Sequence, residues 1–217
     1  MKSDLSSVHA ARMSAKYRHA RWVYDLTRKF FLVGRDRGLN NLGLGSGVPS
    51  RVLEIGCGTG RNIQALLRTH AQVAVDGVDI AYPMLEAARH KLKHDPRVRL
   101  ALGDATELDV QSLFGVRAYD AVLMSYSLSM VPEWRQALKQ ALLALRVGGR
   151  LSMVDFGDFQ KWGPLGPLAI ASLGHYDAPP LLSLRQEALA LDPACYHVMH
   201  QSLWGGVAQT VVVTRLA

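Results

Sequence analysis

Cysteine is nearly missing from this chain. Cys57 and Cys195 are the only two in 217 residues, too few to staple a fold, which excludes a disulfide-built secreted scaffold. Long apolar runs are missing as well. No uncharged stretch approaches the ~20 residues of a membrane-spanning helix, and the longest, residues 162–174, is broken by Gly163, Pro164, Gly166 and Pro167. The opening Met1-Lys2-Ser3-Asp4 lacks the basic-then-apolar order of a signal peptide. These absences predict a soluble protein of a reducing, cytoplasmic compartment. What is present suits a packed domain: 49% hydrophobic and 20% charged residues, against the composition of a disordered chain.

Anions are scarce at one end. Residues 1–50 hold nine cations and only three anions, so +6 of the formal +7 lies there and +1 is left for the rest. The charge divides the chain into a basic segment (1–37), a Gly/Asn-rich connection (38–50) and a nearly neutral body (51–217). Within the basic segment, Met13, Tyr17, Ala20, Tyr24, Thr27 and Phe31 fall together at helical spacing, with Trp22, Leu26, Phe30 and Val33 beside them. Arg18, Arg21, Arg28 and Lys29 take the remaining side. A basic amphipathic helix with Trp and Phe suits an anionic membrane surface; it equally suits a lid over a pocket, and the two are compatible.

The body alternates short β-rich runs with helical patterns. Strands are expected at 51–55, 73–80, 98–102, 119–125, 150–155 and 207–214, with helices to Leu67, over 84–92 and over 132–145 between them. That alternation predicts a parallel sheet covered on both faces, with ligands beyond the carboxyl ends of the strands. Residues 162–174 read as a hydrophobic flap or as a loop with a short helix.

Gly56-Cys57-Gly58-Thr59-Gly60 follows the first strand and opens a helix. Alone, this suits a plain strand–turn–helix corner as well as a ligand loop. Asp79 closes the second strand 23 residues after Gly56, near the ~20 expected of a carboxylate that accepts ribose hydroxyls. Asp104, in Gly103-Asp104-Ala105, closes the third, where an adenine amino group is within reach. A dinucleotide fingerprint would place its third glycine at position 61, and Arg61 stands there, which disfavours a nicotinamide oxidoreductase.

The pattern Glu54-x-Gly56-x-Gly58-x-Gly60 with Asp79 and Asp104 resembles class I S-adenosylmethionine-dependent methyltransferases. The resemblance implies a doubly wound, mostly parallel seven-stranded Rossmann-like sheet, with S-adenosyl-L-methionine as cofactor and S-adenosyl-L-homocysteine as product. It places Glu54 at the methionine end and Asp79 on the ribose. Gly56, Cys57, Gly58, Gly60, Ile80, Met84, Gly103, Asp104, Ala105 and Ser125 complete the expected cofactor set.

After the fourth strand comes Ser125-Tyr126-Ser127-Leu128 where base-modifying methyltransferases carry an Asn/Asp-Pro-Pro-Tyr clamp. With no clamp and a nearly neutral body, no nucleic-acid partner is expected. Residues 24–37, Ser125–Pro132, Val154–Asp158 and Leu203–Val207 resemble bacterial N-methyltransferases of betaine-lipid (diacylglyceryl-homoserine) and phosphatidylethanolamine synthesis. By that resemblance Tyr17, Tyr24 and Arg28 are the pocket and head-group candidates. The chemistry of the step adds Tyr126 and His175 to the side chains able to orient the acceptor, and Lys29 or Arg35 as a companion to Arg28 on a phosphate or carboxylate. The enzyme is expected to be peripheral on the inner face of the cytoplasmic membrane. A soluble small-molecule acceptor and a non-catalytic cofactor-binding regulator are the alternatives. His175-Tyr176-Asp177 reads as an acid–base pair or, ahead of Pro179-Pro180, as a surface loop. His197, His200 and Cys195 do not make a metal set of credible spacing.

Overall fold

Val52, Leu53, Glu54 and Ile55 are all buried, because the strand that carries them is covered on both faces. The computed structural model describes residues 33–93, 95–175 (the His175 side chain excepted) and 178–217. Seven strands are described: β1 (Ser50–Ile55), β2 (Val73–Asp79), β3 (Val98–Leu102), β4 (Tyr119–Ser125), β5 (Leu145–Phe156), β6 (Tyr196–Leu203) and β7 (Ala208–Arg215). They make one sheet in the order β3-β2-β1-β4-β5-β7-β6. β1 to β5 pair in parallel, and β7 runs antiparallel between β5 and β6. The helices are α1 (Arg35–Asn40), α2 (Arg61–Thr69), α3 (Tyr82–Leu92), α4 (Val110–Phe114), α5 (Trp134–Leu143), α6 (Leu165–His175) and α7 (Leu184–Leu189).

Two apolar layers sandwich the sheet. Ile63 and Leu66 of α2 and Leu85 and Leu92 of α3 pack with Val52, Val75 and Leu123. Trp134, Ala137, Leu138, Ala141 and Leu142 of α5 pack with Leu53, Val122 and Leu151, joined by Leu184 and Ala188 of α7. Chain order reverses between β1 and β4, so a crevice opens there, beyond the strand ends.

Several expectations shift. β6, which no apolar run announced, pairs along β7 from Tyr196 to Leu203. The expected helix at 132–145 is shorter, Trp134–Leu143, and β5 starts at Leu145, with a register shift against β4 where Val147, Gly148 and Gly149 intervene. A full helix, α6, occupies 165–175 despite the glycines and prolines; Gly163 and Pro164 precede it, and Pro167 falls in its first turn, where no intrahelical donor is needed. The stretch read as a connection carries the end of α1. There Gly38 lies so close to β5 that a Cβ would come within 3.0 Å of Val154, and Ser152 Oγ donates to the Gly38 carbonyl at 2.8 Å. Tyr17, Tyr24 and Arg28, with the amphipathic pattern around them, lie outside the described residues.

One charged group sits in the sheet. Asp76 is buried on β2, gripped from β3 by both guanidinium arms of Arg99 at 2.7 and 2.6 Å and from β4 by the Tyr119 hydroxyl at 2.8 Å. Burial, then the bond to Asp76, pushes the Tyr119 hydroxyl's pKa up, so it stays a donor. Asp76→Ala would leave the buried Tyr119 hydroxyl without its acceptor, while half-exposed Arg99 keeps its bond to the Phe114 carbonyl. It is expected to cost about 1–3 kcal/mol, or roughly 5 °C in thermal midpoint for a chain of this length, measured by circular dichroism melts. An unchanged midpoint would show the network to be dispensable.

Candidate active site

Gly56 sets the geometry of the site. It turns the chain at the end of β1 with φ +75°, and a Cβ there would sit 2.3 Å from the Ser127 Cβ, so only glycine fits. Ser127 uses that closeness: its Oγ donates to the Ile55 carbonyl at 2.9 Å, tying the exit of β4 to that of β1. A hollow opens between these exits, lined by the ends of the first four strands. A Cβ on Gly58, which lines the hollow, would meet nothing within 4 Å, leaving its backbone open to a close approach.

The hollow gathers most of the expected residues. Glu54, Gly56, Cys57, Gly58, Asp79, Ile80, Met84, Gly103, Asp104, Ala105, Ser125 and Tyr126 all line it. Gly60 does not; it stands at φ +74° under Leu92 as the N-cap of α2. By sheet order, Asp79 and Asp104 stand at one end, Glu54 in the middle, and Ser125 and Tyr126 at the other. His175 ends α6, and its side chain is outside the described set.

Asp79 Oδ2 accepts from the Gly58 N–H at 2.7 Å and Oδ1 from the Ala81 N–H at 2.8 Å. Both bonds hold the carboxylate at the mouth of the hollow, beside the glycine turn. Asp104 Oδ1 accepts from the N–H and the hydroxyl of Thr106, both at 2.8 Å, which folds the turn after β3. Burial pushes the Cys57 thiol up, and the Asp79 and Glu54 carboxylates push it further. It is a packed thiol and no nucleophile.

Glu54 has the most unusual surroundings. Its Oε1 accepts from Asn62 Nδ2 at 2.7 Å, while Oε2, equally buried, finds no partner among the described residues. Burial raises its pKa to about 8, against the opposing pull of the Asn62 bond and of Arg35. A protonated carboxyl with one idle oxygen, facing a cleft, is poised to meet a cationic group. The amino group and sulfonium of S-adenosylmethionine are such groups, and with the glycine turn and the two aspartates the residues present fit that cofactor.

At the other end Tyr126 stands at φ +54°, its ring edge-on to Phe156 at 4.9 Å and its hydroxyl donating to the Val33 carbonyl. The buried Asp155 carboxylate accepts from the N–H of Ser129 at 3.0 Å and of Phe156 at 2.8 Å, holding the turns after β4 and β5 as one wall. Asn62, which donates to Glu54, is a lining residue the sequence pattern did not mark. Arg35, which the sequence offered only as a companion cation to Arg28, lies with its guanidinium 6.0 Å over the Tyr126 ring. Only the packing of α1 on β5 brings it there.

Comparison with known proteins agrees with this geometry. Residues 53–151 match the family described as methyltransferase domain. The chain is 32% identical to the demethylmenaquinone methyltransferase of Clavibacter sepedonicus, over 72% of its own length and 62% of that protein's. It is 35% identical to the phosphatidylethanolamine N-methyltransferase of Cereibacter sphaeroides over 55% of each. It therefore spans less than two thirds of either relative. Among solved structures, a chain of the complex between the Haloferax volcanii Trm112 methyltransferase activator and a methyltransferase shares the fold at TM-score 0.73 and 15% identity. That match covers 94% of this chain and 98% of the other. The Haemonchus contortus phosphoethanolamine N-methyltransferase 2, solved with phosphomonomethylethanolamine and S-adenosylhomocysteine, does so at 0.68 and 15%, over 84% and 52%. Sheet order, hollow and family match converge: the chain has the class I, Rossmann-like fold, its residues 53–151 match the methyltransferase domain family, and its hollow fits S-adenosylmethionine.

Proposed function

We propose that this protein methylates the amine of a polar lipid head group of the diacylglyceryl-homoserine or phosphatidylethanolamine kind. The observation that carries the reading is Arg35 over the Tyr126 ring at the β4 end of the hollow. A zwitterionic head group needs such a pair: an aromatic face for the amine and its methylated, cationic products, and a guanidinium for the carboxylate or phosphate. The relative named for phosphatidylethanolamine supports the same reading.

The bound cofactor supplies an electrophilic methyl group on a sulfonium. The chain's own work is positioning. The neutral amine must lie in line with the methyl–sulfur bond, having given its proton to water, and such alignment is worth about 7–11 kcal/mol. The Tyr126 hydroxyl already donates to Val33, so the ring, more than the hydroxyl, serves the acceptor. The new C–N bond forms as the C–S bond breaks, leaving a neutral thioether and an alkylammonium.

A second reading, methylation of a quinone carbon, is favoured by the longer match to the demethylmenaquinone enzyme. Incubating the full chain with methyl-labelled cofactor and a bacterial lipid extract separates the two. Label in amine-bearing polar lipids is the expected result. Label confined to the quinone fraction selects the second reading, and label in water-soluble amines alone overturns both.

A further inference from the structure

We infer that the turn Gln160–Trp162, the outer face of α6 and Trp204 form one surface that lies against an anionic bilayer, beside the acceptor end of the hollow. The inference rests on a membrane-borne acceptor, as proposed above, and names how the protein would reach it.

The surface begins with α6, whose eleven residues include no Asp, Glu, Lys or Arg. A helix on the outside of a fold normally turns a polar stripe outward. Here Leu165 is 59% exposed and Leu168 69%, while Gly166 is buried and Leu173 packs against the cluster of Tyr126, Val154 and Phe156. Its inner face thus backs the wall of the hollow, and its outer face presents leucines to the surroundings.

Two tryptophans join it. The Phe159 N–H donates to the Gly206 carbonyl at 2.8 Å, fastening the turn that carries Trp162 to the turn that carries Trp204. Gly166 lies so close that a Cβ would meet the Phe159 carbonyl at 3.0 Å, so the first turn of α6 is seated on the same junction. Trp162 is 45% exposed and Trp204 59%, and Trp204 holds a left-handed backbone at φ 46°. Half-exposed tryptophans beside an apolar helix are the composition of a membrane–water interface.

Charge decides the occupant. Lys161 lies within the surface, against Gly205, on a stem long enough to keep its ammonium at head-group level. Arg35 and Arg37 follow Gly34, where a Cβ would stand 3.5 Å from the Trp204 ring, and the sequence before Gly34 is rich in Lys and Arg. Cations joined to an apolar, tryptophan-bearing face complement anionic lipid. At 1.5 Å per residue, α6 is about 16 Å long. That is too short to cross a bilayer, and among the described residues no helix is long and apolar enough to do so. It would lie in the interface plane.

Vesicle co-sedimentation of the full chain tests this, using phosphatidylcholine with and without phosphatidylglycerol. The wild type should pellet with the anionic vesicles and poorly with the neutral ones. Leu168→Asp and Trp162→Ala should each weaken that binding about tenfold or more, with S-adenosylhomocysteine affinity unchanged. Leu143→Asp is the control, 60% exposed at the opposite, amino-terminal edge of the sheet, and should bind as the wild type. Equal binding by all variants, no binding by the wild type, or a dimer that Leu168→Asp dissolves while vesicle binding persists would each overturn the inference. Labelled lipid formed with no effect of the face variants would sink this surface and leave the acceptor standing. A face effect without any labelled lipid would support the surface and remove the acceptor.

Discussion

Asp79→Ala is expected to weaken S-adenosylhomocysteine binding by about a hundredfold or more, up to roughly ten-thousandfold, since each hydrogen bond to a charged group contributes roughly 1.5–3 kcal/mol and two are lost. The carboxylate has two duties. It accepts from the Gly58 and Ala81 N–H groups, holding the glycine turn against the end of β2, and it is the proposed acceptor of the ribose hydroxyls. Calorimetry on the single variant merges the two. A cycle with a 2′-deoxy analogue separates them. If the carboxylate grips the sugar, the analogue loses affinity against the wild type and almost none against Asp79→Ala. Equal losses against both proteins would reduce Asp79 to a brace for the loop and void its assignment to the ribose.

What the sequence disclosed follows from where each interaction is encoded. β1, β2, β4 and β7 are buried on both faces, so their residues are mostly apolar, with Glu54, Asp76 and Gln209 among the buried exceptions, and a local reading finds them. β6 is an edge strand. Its burial alternates, His197, Met199 and Gln201 face solvent, and a run of mixed polarity with one partner strand leaves little signal. The glycine turn was legible because one φ and one clash, at Gly56 against Ser127, demand glycine at a fixed step from the strand. The residue Arg35 was legible as a candidate cation but its seat over Tyr126 was not, because that seat depends on Gly34 and Gly38 fitting against Val154 and Leu203, contacts more than a hundred residues apart in the chain. The raised pKa of Glu54 was hidden for a similar reason: the spacing marked the residue, but only the packed fold shows that Oε2 lacks a partner.

That idle oxygen yields the prediction with the clearest pH signature. Glu54 titrates near 8 in the ligand-free fold and near 4.5 in an unfolded chain. Between those values the native state holds a proton that the unfolded state has released, so stability is fully present below about 4.5 and falls as pH rises through about 8. The loss is at most on the order of 5 kcal/mol, from 1.36 kcal/mol per unit between 4.5 and about 8. Melts of the free protein at pH 5.5 and 8.5 should therefore show a larger drop for the wild type than for Glu54→Gln, which cannot ionise. Cofactor binding should run the other way. A cation beside Glu54 favours the carboxylate, so affinity for S-adenosylmethionine should climb toward pH 8 with release of a proton, and Glu54→Gln should bind about ten- to a hundredfold more weakly at pH 8.5 yet approach the wild type near pH 6. An affinity deficit in the variant that is the same at both pH values would mean that Glu54 shapes the pocket without carrying its charge.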